Sequence, residues 1–119
     1  MLARMMGLKV VSPRDVQLLL QGGRALAIDV NSRHVGRHVR VPGALALDFA
    51  DFTSGELPED RDRTLVFYCS NPFCRKAPSA AKRAAKMGWT DVRVMSAGIT
   101  GWMDAGLPTD SDAYIEQDN

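Results

Sequence analysis

Apolar and polar positions fall into blocks whose periods name the elements. Ser12-Pro13-Arg14-Asp15 reads as a helix start. Ser12 can cap, Pro13 suits the first helical position, and Asp15 sits where a carboxylate favours the positive helix end. Val16, Leu19 and Leu20 share one face, and Gly22-Gly23 stops the helix. Ala25-Leu26-Ala27-Ile28-Asp29-Val30 is a near-continuous apolar run of the kind found in strands covered on both sides, with Asp29 at its polar end. Val41-Pro42-Gly43-Ala44 signals a turn, and Leu45-Ala46-Leu47 a short strand. The polar stretch from Asp51 to Arg63, with Gly55 and Pro58, predicts a loop holding one helical turn. Thr64-Leu65-Val66-Phe67-Tyr68, β-branched and aromatic, predicts a strand that ends directly on Cys69. Pro72 and Pro78 bracket a loop, after which Ser79 to Met87 predicts an alanine-rich helix closed by Gly88. Val92-Arg93-Val94-Met95 is a further strand, followed by Gly98, Gly101 and a Gly106-Leu107-Pro108 stop. Strands alternating with helices predict an α/β fold with a mostly parallel central sheet of about five strands flanked by helices.

Length and composition narrow this picture. A chain of 119 residues, 45% hydrophobic and 24% charged, fits one domain over residues 1–119, with a core from about residue 12 to 109 and a flexible tail over 110–119. Fifteen Lys and Arg against fourteen Asp and Glu leave a net charge of +1, so the balance calls for neither nucleic acid nor an anionic membrane. A local anion site remains open. No apolar run approaches the roughly 20 residues that span a bilayer, and the opening MLARMMGLKVV lacks a secretory-type apolar stretch; the expected location is cytoplasmic. Two cysteines, Cys69 and Cys74, are too few for a disulfide framework and direct attention to catalysis, metal binding or simple burial.

In open α/β sheets ligands gather beyond the carboxyl ends of strands, where a loop entering a helix points its amides at them. Cys69 occupies such a place. The loop Cys69-Ser70-Asn71-Pro72-Phe73-Cys74-Arg75 can curl around an anion, with Arg75 and the following helix start adding positive potential. That field favours the thiolate, which is the nucleophile. The competing reading is a small apolar residue ending a strand.

These residues resemble the rhodanese-like, or sulfurtransferase, family. The resemblance rests on Leu65 to Cys69 with the small-residue helix, Val92 to Met95, Ala97-Gly98-Ile99-Thr100-Gly101-Trp102 and Ala105-Gly106-Leu107-Pro108. Ala27 to Val30 and Val41 to Ala44 extend it more loosely, so that it spans about Ser12 to Thr109. It implies a single rhodanese fold without metal or cofactor, in which Cys69 takes a sulfane sulfur from a donor such as thiosulfate and becomes a persulfide. The sulfur then passes to cyanide or to a thiol, such as glutathione or a thioredoxin-like protein. Ser70, Asn71, Pro72, Phe73, Cys74 and Arg75 match the donor-binding loop, acting mainly through backbone amides. Asn31 stands where the family often has Arg, and Arg40 where it commonly has His. The loop resembles a bacterial subgroup with a Cys-x4-Cys pattern. Cys74 is therefore a candidate resolving thiol that can attack an oxidised or persulfidated Cys69, the alternative being a small hydrophobe packed in the loop. Asp29 matches an aspartate that bonds nearby loop backbone.

Cys69 and Arg75 also satisfy Cys-x5-Arg, the pattern in which an arginine fork holds phosphate or arsenate while the thiolate attacks. It resembles the dual-specificity phosphatases and arsenate reductases. Tyr68 and Lys76 depart from it, standing where that group usually has a histidine and a hydroxyl residue. A non-catalytic rhodanese-like binding module is the third reading. His34 and His38 have helical spacing for a metal, yet Gly36 weakens the helix and no local carboxylate or cysteine completes a set. Arg33, Arg37 and Arg40 form a basic run that either steers an anion or is a solvated face. Trp102 reads as a core aromatic, and Met5, Met6, Met87, Met95 and Met103 as gap-fillers.

Overall fold

Five short strands, Lys9–Val10, Val92–Val94, Thr64–Tyr68, Ala25–Asp29 and Leu45–Ala46 in that spatial order, hydrogen-bond side by side, all parallel. The computed structural model describes residues 7–31 and 39–111. The histidine pair, Arg33, Arg37, Met5, Met6 and residues 112–119 lie outside them. The elements are β1 (Lys9–Val10), α1 (Pro13–Gln21), β2 (Ala25–Asp29), β3 (Val39–Arg40), β4 (Leu45–Ala46), β5 (Thr64–Tyr68), α2 (Lys76–Lys86), β6 (Val92–Val94), α3 (Gly98–Asp104) and β7 (Asp110–Ser111). A 3₁₀ turn at Ser54–Glu56 supplies the single helical turn expected in the polar loop.

Alternation along β5 divides the core. Leu65, Phe67 and Cys69 face one side, where Ala77, Ala80, Ala81 and Ala84 of α2 pack with Ile28, Phe52 and Val94. Val66 and Tyr68 face the other, against Val16, Val41, Met95 and Trp102. The alanine face lets α2 sit close to the sheet. Arg83 ties the preceding loop to that helix: its guanidinium donates to the carbonyls of Phe49 at 2.7 Å and Phe52 at 3.0 Å and lies over the Phe52 ring.

Local chemistry explains the helix ends. The Ser12 hydroxyl accepts the Asp15 amide at 3.2 Å and Pro13 opens α1, as the sequence predicts. Helix α2 begins at Lys76, three residues before the expected Ser79, so Pro78 lies in its first turn and does not bound the loop. Proline is tolerated there because a first-turn amide has no intrahelical acceptor. At the amino ends of the strands, Asp91 accepts both Arg93 Nε at 2.9 Å and Arg93 Nη2 at 3.0 Å, and the Thr64 hydroxyl at 2.7 Å. The guanidinium holds the Asp91 carboxyl below its usual range.

Four elements escape the pattern reading. β1 and α3 were not expected, and β3 pairs antiparallel with β7 through Val39↔Ser111 and Arg40↔Asp110. The segment expected to be a flexible tail thus starts with two residues in a ladder, because backbone bonding is indifferent to polar side chains. Met103 is 49% exposed and fills no gap, unlike the buried Met95.

Candidate active site

The nucleophile candidate stands at the carboxyl end of the central strand. β5 pairs with β2 and β6 on its two sides, and Val30 N–H donates to the Tyr68 carbonyl at 3.1 Å. Cys69 follows directly and is 2% exposed. Its carbonyl accepts the Ile99 amide at 2.9 Å, and that of Ser70 accepts the Thr100 amide at 3.1 Å. The first turn of α3 therefore holds the root of the loop. Gly98 makes this contact possible. It adopts φ +69°, and a Cβ placed on it would lie 2.6 Å from the Ser70 carbonyl and the Asn71 nitrogen. The resemblance includes this glycine, and the fold shows what it touches.

Asn71 then folds the loop on itself. Its side-chain oxygen accepts the Phe73 amide at 2.9 Å, and its carbonyl accepts the Cys74 amide at 3.1 Å. Pro72 between them has no N–H to give. This Asx turn brings Cys74 back over the strand end, and Cys69 and Cys74 are joined in a disulfide with Cα atoms 6.4 Å apart, inside the range such bridges span. Cys74 is half-buried, and Phe73 at the tip is 90% exposed. Arg75 is exposed and is the residue before α2, where its side chain makes no capping hydrogen bond. Of the loop amides expected to face a donor, those of Phe73 and Cys74 are turned onto Asn71. The amides of Ser70, Asn71 and Arg75 have no protein acceptor among the described residues.

A buried polar network supports the site from beneath. Asp29, fully buried, accepts the Asn31 amide at 2.8 Å and the Tyr68 hydroxyl at 3.0 Å. The same tyrosine oxygen accepts the Val41 amide at 3.0 Å. Burial, reinforced by the Asp29 carboxylate, pushes the Tyr68 phenol far above its ordinary value and keeps it a donor. Asn31 turns outward from this network to accept the Ser70 hydroxyl at 2.7 Å. The strand β2, the two residues after it and the cysteine loop are thus one connected unit. Trp102 is buried, its indole N–H donating to the Pro108 carbonyl at 2.8 Å, so it supports the core and does not face the loop's ligand side. Arg40 lies half-buried in β3, and Arg33 and Arg37 of its basic run lie outside the described residues.

Known proteins share this fold. The family model for the rhodanese-like domain matches residues 12–105. Human thiosulfate:glutathione sulfurtransferase is 27% identical over 114 residues, covering 84% of this chain and 97% of that protein. The HTH-type transcriptional regulator Rv0324 of Mycobacterium tuberculosis is 32% identical over 97 residues, covering 80% of this chain and 42% of the regulator. The chain spans about half the length of the first two curated relatives it matches. Among solved structures, thiosulfate sulfurtransferase from Pseudomonas aeruginosa superposes with a TM-score of 0.77 at 18% identity, over 90% of this chain and 21% of that one. RPA3614 of Rhodopseudomonas palustris, described as a possible tyrosine phosphatase, superposes at 0.69 with 23% identity, over 91% and 88%. At such identities the structural likeness concerns the fold alone. With the cysteine at the end of the central parallel strand, the small-residue helix behind it and the family match over most of its length, the chain belongs to the rhodanese-like domain family.

Proposed function

We propose that this domain is a sulfurtransferase in which reduced Cys69 takes a sulfane sulfur from thiosulfate or a related anionic donor. The observation that carries this reading is the place of Cys69: it sits where the central strand gives way to a loop and the amino end of α2. The helix end and Arg75 favour the thiolate and attract an anion. The thiolate attacks the outer sulfur of thiosulfate, the sulfur–sulfur bond breaks, and sulfite leaves with the electron pair. The Cys69 persulfide remains, its charge facing the amides of Ser70, Asn71 and Arg75. A thiol or cyanide then removes the outer sulfur. The distant human relative that bears a sulfurtransferase name supports this reading.

The rival chemistry uses the Cys-x5-Arg spacing to wrap a tetrahedral oxyanion. Such a loop needs its amides converging on one centre, whereas Pro72 removes one and Asn71 engages two. One experiment separates the readings. Reduced protein is incubated with thiosulfate or with a chromogenic phosphate ester, and the cysteines are followed by intact-mass and peptide mass spectrometry. Sulfite release is expected, with Cys69 left either as the persulfide or, once Cys74 has displaced the sulfur, in the disulfide. Hydrolysis of the ester with no sulfur loading would establish the phosphatase reading, and neither reaction the binding module.

Two further outcomes follow from the same geometry. The disulfide-bonded protein offers no thiolate, so activity should be absent until a dithiol reductant is added, as an assay with and without prereduction will show. Arg75→Ala should raise the KM for thiosulfate roughly fivefold, the equivalent of about 1 kcal/mol at an exposed site. Its Tm should stay close to that of the parent, because exposed substitutions shift stability by about 0.5 kcal/mol or less.

A further inference from the structure

Cys74 is the one nucleophilic side chain at the site, among the described residues, that transfer to an external acceptor leaves unused. We propose that Cys74 resolves the Cys69 persulfide, releasing hydrogen sulfide and closing the Cys69–Cys74 disulfide, so that the domain works as a sulfane-sulfur reductase regenerated by a dithiol. This rests on the sulfur-loading reading above and names its acceptor. The argument starts from position: the Asn71 turn holds Cys74 where its sulfur bonds that of Cys69. The nearest target for a Cys74 thiolate is therefore the inner sulfur of a loaded Cys69. Attack there forms the Cys69–Cys74 bond and breaks the bond between Cys69 Sγ and the sulfane sulfur. The electron pair leaves with that sulfur, which takes up the proton given up by the Cys74 thiol and departs as hydrosulfide. Two cysteine sulfurs are oxidised and one sulfane sulfur is reduced, so no outside oxidant is needed. Hydrosulfide is also a better leaving group than an ordinary alkyl thiolate, because its conjugate acid is stronger.

Burial then orders the second half of the cycle. With Cys69 sealed and Cys74 half-exposed, an incoming thiolate reaches the sulfur of Cys74. It forms a mixed disulfide there and expels the Cys69 thiolate. The second thiol of the reductant attacks its own partner sulfur in that mixed disulfide and frees Cys74. Two electrons and two protons thus return the domain to its dithiol state. A dithiol suits this cycle because it resolves its own mixed disulfide.

The test is a single turnover of prereduced protein, freed of reductant, with thiosulfate and no cyanide or thiol. Sulfite, sulfide and cysteine state are measured together for the parent, Cys74→Ser and Cys74→Ala. The parent is expected to release sulfide and sulfite in equal amounts and to end as the disulfide. In both variants sulfide should be lost, whatever their loading rate, and the sulfite formed should match persulfide retained on Cys69 that cyanide converts to thiocyanate. A parent that keeps its persulfide beside a free Cys74 thiol overturns the proposal while leaving sulfur loading intact, as does a parent carrying the extra sulfur on Cys74. Sulfide released equally by parent and variants overturns it as well. Absence of sulfite from all three proteins would instead remove the loading reading beneath it.

Discussion

Replacing Cys69 by Ser should reduce thiosulfate-dependent sulfur transfer to cyanide by on the order of a thousandfold or more, to the uncatalysed background. A serine hydroxyl at neutral pH is almost wholly protonated, and its oxygen cannot take up a sulfane sulfur and return it as a persulfide does. The remaining amides and Arg75 would still hold the donor, so binding should survive where turnover does not. The comparison must be made with the reduced parent. Closing a loop of five or six residues by a disulfide is worth about 2 kcal/mol through the unfolded chain, and the substitution removes that contribution together with the nucleophile. Measured against reduced protein, the variant loses only what a buried hydroxyl costs in place of a thiol, about 1–3 kcal/mol. Circular dichroism and a melting curve check that the fold persists. Transfer activity persisting in a folded Cys69→Ser protein would rule out Cys69 as the sulfur carrier.

The place of Cys69 was legible because three independent signals converge on it. Thr64 to Tyr68 is unmistakably a strand, the alanine run after it is unmistakably a helix, and a cysteine between the two falls at the functional end of a parallel sheet. The two-residue strands β1, β3 and β7 offered nothing comparable: two residues carry no period, and their pairing depends on which distant backbone lies alongside. Helix α3 was hidden for another reason. Gly98 and Gly101 read as punctuation, yet the helix forms around them because its first turn donates the Ile99 and Thr100 amides to the cysteine loop. Asn71 and Pro72 signalled a turn, but which amides the turn would engage is a matter of three-dimensional closure. The same holds for Asn31, whose link to Ser70 joins residues 39 positions apart. The sequence also left Cys74 open between a working thiol and a small hydrophobe. The structure joins it to Cys69, because the Asx turn aims it at the strand end.

Gly98→Ala should be the most damaging substitution outside the cysteines, and Gly106→Ala isolates the reason. Both glycines have positive φ, +69° and +76°. Each alanine should therefore carry the left-handed cost of about 1–2 kcal/mol. At Gly106 nothing lies within 4 Å of the added Cβ, so that cost is the whole effect. At Gly98 the added Cβ would sit 2.6 Å from Ser70 and Asn71 backbone atoms, which cannot rotate aside as a side chain can. Either the loop root moves off α3, losing the Ile99 and Thr100 bonds, or α3 itself moves. Each lost bond is worth about 1 kcal/mol, so the total should approach about 3–4 kcal/mol. Near 4 °C per kcal/mol, this lowers Tm by roughly 15 °C, against about 5 °C for Gly106→Ala. Activity should divide the pair further. Displacing Ser70 shifts the amides proposed to face the persulfide and the strand end that carries the proposed nucleophile, and misplacement by about 1 Å can cost on the order of a hundredfold. Gly98→Ala should thus lose kcat even at temperatures where it remains folded, while Gly106→Ala keeps it. Equal melting temperatures and equal kcat for the two variants would mean that the contact between Gly98 and the loop root does not shape the site.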